Sequence, residues 1–136
     1  HNEFNDDVIN SIKNYNPKLE IFNTSYQIKN LNKFDFSKKY LIFSGIGNPN
    51  NFRKILQKNK FNLIDEIIYP DHFEYKIKDI NYIIDRAKKN DAEIITTEKD
   101  FVKISKLDDN KINFVEIDLE IDDEKKLIDF KTKKIL

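Results

Sequence analysis

Two short stretches hold the rarest chemistry-bearing residues of this chain. In YPDHFEY, residues 69–75, Asp71 precedes His72, which is the only histidine apart from His1. An imidazole titrates near neutral pH and can accept or relay a proton, while a neighbouring carboxylate can orient it or meet a metal. The same pair also suits an ordinary exposed turn. In YLIFSGIGNPNNF, residues 40–52, both glycines of the chain, Gly45 and Gly47, lead through Asn48 into Pro49. Glycines there permit positive φ and close approach of another group, and the free N–H groups of the helix that follows attract anions. A tight strand-to-helix turn needs the same residues.

A third stretch, TTEKD at residues 96–100, offers hydroxyls, an ammonium and carboxylates. Thr97 and Asp100 have the spacing of a helix N-cap and its third residue, so capping and solvated charge account for it as readily as chemistry does. The glycines do not form a Walker A loop, which needs two glycines five apart followed by Lys and Ser/Thr, and a third glycine is missing for a dinucleotide fingerprint. With one internal histidine and no cysteine, a zinc site built by this chain alone is not expected.

The elements that must position these residues read as an alternation. Val8, Ile9, Ile12 and Tyr15 share a helical face in residues 1–18, and Pro17 stops it. Residues 19–39 read as a strand-like linker and a loop. Tyr40–Phe43 is a short apolar strand, and Asn48, Pro49, Phe52, Ile55 and Leu56 open an amphipathic helix. Leu63–Tyr69 reads as a strand and Lys76–Lys89 as a helix with Ile77, Ile80, Ile83, Ile84 and Ala87 on one side. Glu93–Thr96 is a strand, a short helix starts at Thr97, and Lys111–Ile121 alternates as a last strand. Such an order predicts a three-layer α/β/α domain with a mainly parallel sheet over residues 40–121, because parallel neighbours need crossover helices. Residues 122–136 form a charged tail, and all 136 residues read as one α/β domain. In such sheets ligands sit beyond the carboxyl ends of the strands, where all three stretches would fall.

Composition narrows the function classes. Twenty-four basic and twenty-four acidic side chains give zero formal net charge, so there is no overall electrostatic footprint for nucleic acid. Absence of cysteine removes disulfides and thiolate nucleophiles. No apolar run approaches the roughly 18 residues of a membrane-spanning helix. Without a single methionine, the chain reads as a piece of something longer.

In order and spacing, FSGIGNPNNF (43–52), YPDHFEY (69–75) and TTEKDFVKI (96–104) resemble the three hallmark stretches of the C-terminal half of tetraacyldisaccharide 4'-kinase, the lipid A 4'-kinase. The resemblance implies transfer of the ATP γ-phosphoryl group, with Mg2+, to the 4'-hydroxyl of a tetraacylated glucosamine disaccharide at the cytoplasmic face of the bacterial inner membrane. It further implies that an N-terminal P-loop domain, absent here, holds ATP and the metal-binding acids and makes the membrane contact. The present chain would be soluble, inactive alone, and would close over the cleft. By the same resemblance His72 pairs with a carboxylate of the N-terminal domain that serves as base, with Asp71 beside it. Many relatives carry a second histidine where this chain has Phe73. Gly45, Gly47, Asn48, Thr97, Glu98, Lys99 and Asp100 match the motifs and would shape the interdomain rim. From the residues alone, the alternative is a non-enzymatic α/β module that holds a nucleotide or phosphorylated ligand on the backbone amides of Gly45–Asn48.

Overall fold

A computed structural model describes residues 24–107 and 111–121. The expected helix at 1–18, the start of the linker and the charged tail lie outside the described residues. The chain divides into two compact units, residues 28–117 and the stretches flanking them.

The 28–117 unit contains a four-stranded, wholly parallel sheet of order β3-β2-β4-β5. Its strands are β2 (Lys39–Ser44), β3 (Asn62–Ile68), β4 (Ala92–Thr97) and β5 (Ile112–Val115), and its helices are α1 (Pro49–Lys58), α2 (Ile77–Lys89) and α3 (Glu98–Ile104). The step from β2 to β3 and the step from β3 to β4 run in opposite directions across the sheet. Right-handed crossovers then require α1 and α2 to cover opposite faces. The packing follows. Tyr40, Ile42 and Ile95 meet Phe52, Ile55 and Leu56 of α1 on one face. Leu41, Phe43 and Ile94 meet Ile80, Ile83, Ile84 and Ala87 of α2, with Ile104 of α3, on the other. Every residue of β2 after Lys39 is buried, as a central strand covered on both faces must be. A fully buried isoleucine such as Ile83 stabilises by about 1.5–3 kcal/mol.

A register shift in β3 aims the residues that reach the site. Tyr40 pairs with Leu63 but Leu41 pairs with Asp65, so Ile64 is an extra residue. Leu63 packs on the α1 layer, whereas Ile67 and the following Tyr69 pack on the α2 layer. Two arginines then grip the adjacent acids of this edge strand. Asp65 accepts from Arg86 of α2 at 2.6 and 2.7 Å, and Glu66 accepts from Arg53 of α1 at 2.6 Å. The two-pronged Arg86–Asp65 contact fixes geometry as well as charge.

Helix starts follow local chemistry. Asn48 Oδ1 accepts from Asn51 N–H ahead of α1, with Pro49 at the first helical position. At α2 the Asp79 carboxylate accepts from the Lys76 N–H at 2.9 Å.

The expected last strand, Lys111–Ile121, is two strands. β5 ends at Val115 and β6 (Ile117–Ile121) pairs instead with β1 (Thr24–Ile28) in a two-stranded sheet. Asn30 and Lys29 cause the break. Glu116 N–H donates to Asn30 Oδ1 at 2.9 Å, Glu116 O accepts from Lys29 N–H at 2.8 Å, and Asn30 Nδ2 donates to Phe114 O at 2.9 Å. The backbone of residue 116 is thereby satisfied away from β4. Ile28, Leu31 and Phe34 pack into the α1-side core, so the α/β unit begins at 28 rather than at 40.

Candidate functional site

The connectors after β2, β3 and β4 leave the same end of a parallel sheet, and β2 lies between the other two strands. The glycine stretch is therefore flanked by the His72 stretch on one side and by TTEKD on the other. At their junction sits Asp100, fully buried. Its carboxylate accepts from Gly45 N–H at 3.2 and 3.1 Å, from the Tyr75 hydroxyl at 3.0 Å and from the Thr97 hydroxyl at 2.7 Å. Thr97 Oγ1 in turn accepts from Asp100 N–H at 3.0 Å, so the expected N-cap does form. Among the described residues no ammonium or guanidinium pairs with Asp100, and neutral donors alone stabilise the buried carboxylate. Burial, followed by the facing Asp100 carboxylate, pushes the Tyr75 hydroxyl far above its ordinary range, so it remains a donor at any physiological pH.

The rim tightens around this centre. Thr96 Oγ1 donates to Phe43 O at 2.8 Å, and Tyr69 N–H donates to Ser44 O at 2.8 Å. A Cβ on Gly45 would lie 3.1 Å from the Tyr75 hydroxyl oxygen, 3.2 Å from Pro70 O and 3.3 Å from Asp100 Oδ1. A Cβ on Gly47 would meet only Asp71, at 3.4 Å from Oδ2. Neither glycine has a positive φ. The conformational freedom expected of them is not used: at Gly45 the requirement is close approach. The Gly45 amide expected to face an anionic ligand is engaged by the chain's own carboxylate.

The left-handed residue of the rim is His72 itself, at φ 61°. Phe73 N–H donates to Pro70 O at 3.1 Å, closing a four-residue turn with His72 third, where type II turns favour Gly or Asn. Asp71 Oδ1 accepts from His72 N–H at 3.0 Å, and Asp71 Oδ2 lies 3.6 Å from His72 Nε2. The two side chains face the same way, beyond direct hydrogen-bond length but close enough to attract once the imidazole is protonated. His72 is 78% exposed, so its ring is presented outward. Phe73 anchors the turn: its ring stacks on Tyr69 at 4.5 Å and meets Tyr75 edge-on at 5.2 Å, with Phe43 behind.

Thus the structure gathers Gly45, Gly47, Asp71, His72, Thr97 and Asp100 on one rim. Asn48 caps α1, and Glu98 and Lys99 are exposed in the first turn of α3. Tyr75 and Tyr69 were not singled out by sequence reasoning, although the aromatic spacing of YPDHFEY carries the signal. Among the described residues no three His, Asp or Glu side chains converge to hold a metal ion. The Gly45 N–H is likewise engaged by Asp100, so that amide is not open to a nucleotide phosphate. Two surface depressions, lined by Lys38, Asp91, Glu93 and Lys111 among others, contain none of the rim residues.

Residues 2–135 match the family described as Tetraacyldisaccharide-1-P 4'-kinase. The chain is 44% identical over 116 residues to a tetraacyldisaccharide 4'-kinase of Pelagibacter ubique, covering 85% of this chain and 37% of that protein. To the enzyme of the same name from Rickettsia canadensis it is 39% identical over 107 residues, covering 78% of this chain and 32% of that one. The chain therefore spans about a third of the length of these relatives. Its fold is similar to that of LpxK from Aquifex aeolicus, crystallised in complex with ATP, with a TM-score of 0.52 at 17% identity over 89% of this chain and 40% of that one. By the match over nearly all of its length, this chain belongs to the tetraacyldisaccharide-1-P 4'-kinase family.

Proposed function

We propose that this chain is one part of a lipid A 4'-kinase, the part that closes the reaction cleft and contributes His72 to it. The complete protein transfers the γ-phosphoryl group of ATP to the 4'-hydroxyl of a tetraacylated glucosamine disaccharide, at the cytoplasmic face of the inner membrane. ATP and Mg2+ are held by a P-loop domain elsewhere in the protein, which also makes the membrane contact, and the chain alone is inactive. The observation that supports this reading is the outward presentation of His72 on a rim fastened by a buried carboxylate.

Phosphoryl transfer depends mainly on positioning and on charge stabilisation by groups gathered from several elements. His72 suits one such task. Its exposed imidazole is free to pair with a carboxylate of the partner domain that takes the proton of the acceptor hydroxyl, and Asp71 Oδ2 lies 3.6 Å from its Nε2. Gly45, Gly47, Asn48, Thr97, Glu98, Lys99 and Asp100 shape the rim around it.

A positioned acid–base group contributes about 10²–10⁴-fold to rate. His72→Ala in the full-length protein, assayed with ATP and the tetraacylated acceptor, is expected to lower kcat by about that factor, with KM for ATP within about threefold. A kcat within about threefold of the unsubstituted enzyme refutes the role.

A further inference from the structure

We propose that Asp100 is a positioning residue for His72, an inference that rests on the kinase reading above. Its three outside donors come from three different connectors: Gly45 follows β2, Tyr75 follows β3 and Thr97 ends β4. One side chain therefore ties the whole rim together. It reaches His72 by two routes. Through Tyr75 it holds the ring against which Phe73 packs, and Phe73 is the residue next to His72. Through Gly45 it holds the glycine stretch, where a Cβ on Gly47 would lie 3.4 Å from Asp71 Oδ2.

The chemistry of the group favours orientation over bulk stability. A carboxylate offers about four lone pairs and accepts from three donors at once, each bond directional. Burying a carboxylate with no cation beside it among the described residues costs free energy that its hydrogen bonds must offset, which leaves Asp100 a poor source of net stability. Among the described residues the hydrogen bonds of the turn carrying His72 are internal, Phe73 N–H to Pro70 O and His72 N–H to the Asp71 carboxylate. The turn is tied to the rest of the rim by the aromatic packing, by the Tyr69 N–H to Ser44 O bond just before it and by the Tyr75–Asp100 bond just after it.

The test uses the full-length kinase and compares Tyr75→Phe, Asp100→Asn, His72→Ala and the double variant Tyr75→Phe/His72→Ala, with kcat normalised to the folded fraction from circular dichroism. Displacement of a reacting group by about 1 Å costs about 10²-fold, so loss of one tie is expected to lower kcat about tenfold, with KM for ATP within about twofold. Because the effect passes through His72, the double variant is expected to be no slower than His72→Ala alone. Tyr75→Phe removes only a hydroxyl and carries the test by itself if Asp100→Asn does not fold. A slowed His72→Ala with Tyr75→Phe within about twofold of the unsubstituted enzyme overturns this inference alone. So does a double variant whose losses multiply. A His72→Ala enzyme at full kcat overturns the kinase role of His72 and this inference with it.

Discussion

The two glycines of this chain make opposite predictions, and the contrast tests why glycine is there. Alanine at residue 45 places a Cβ 3.1–3.3 Å from three atoms, one of them the backbone oxygen of Pro70, which cannot turn away as a side chain could. Overpacking of this kind costs about 1–3 kcal/mol. Because φ is not positive, alanine also recovers about 0.4–1 kcal/mol by restricting the unfolded chain. The net expectation for Gly45→Ala is a loss of about 1.5 kcal/mol. With m in the usual range of about 1–3 kcal/mol/M, the urea midpoint falls by about 0.5–1.5 M. Gly47→Ala meets a single carboxylate oxygen at 3.4 Å, ordinary contact distance, and keeps the unfolded-state gain. Its midpoint is expected to stay level or rise slightly. Urea titration of both variants, followed by far-UV circular dichroism, compares them directly. Equal destabilisation of the two would mean that backbone freedom rather than crowding selects glycine, and would refute the reasoning.

Two further outcomes follow from the rim. His72 sits in the left-handed region, where a residue bearing a Cβ is strained by roughly 1–2 kcal/mol, so His72→Gly is expected to be about 1 kcal/mol more stable than His72→Ala in chemical denaturation; equal stability would contradict the backbone geometry. Tyr75 binds its proton more tightly folded than unfolded, so above about pH 10 the unfolded chain releases it first, νU falls below νN and stability declines with rising pH by up to about 1.4 kcal/mol per pH unit from this group. Tyr75→Phe is expected to flatten the alkaline limb of the stability–pH curve by that slope, and parallel limbs would refute the assignment.

Elements whose signal is local were legible in the sequence. The i, i+3, i+4, i+7 stripe of Ile80, Ile83, Ile84 and Ala87 has one helical solution, and Asn48–Pro49 has one capping role. Alternation through Val115, Glu116 and Ile117 is just as regular, yet it says nothing about which strand is the partner. That choice is made by Asn30, 86 residues away from Glu116. The site divides in the same way. Thr97 as N-cap to Asp100 is a three-residue relation and was readable. The bonds from the same carboxylate to Gly45 and Tyr75 were not, because they span 55 and 25 residues. The glycines illustrate the limit most sharply. Their residue type announces freedom of φ, whereas Gly45 is crowded by atoms of Pro70, Tyr75 and Asp100, and the left-handed φ falls to a histidine three residues before Tyr75.

The 55-residue separation of Gly45 from Asp100 has a kinetic meaning. Both crossover helices and the β2–β4 pairing must be in place before that carboxylate can reach that amide, so the entropy of closing two long loops precedes any reward from the bond. Folding is accordingly slower than in a helical bundle of similar size, and hydrogen exchange at the Gly45 amide reports the assembled sheet rather than any local fragment. An intermediate holding α1 and α2 but lacking the β2–β4 ladder would show helical dichroism while that amide still exchanged freely.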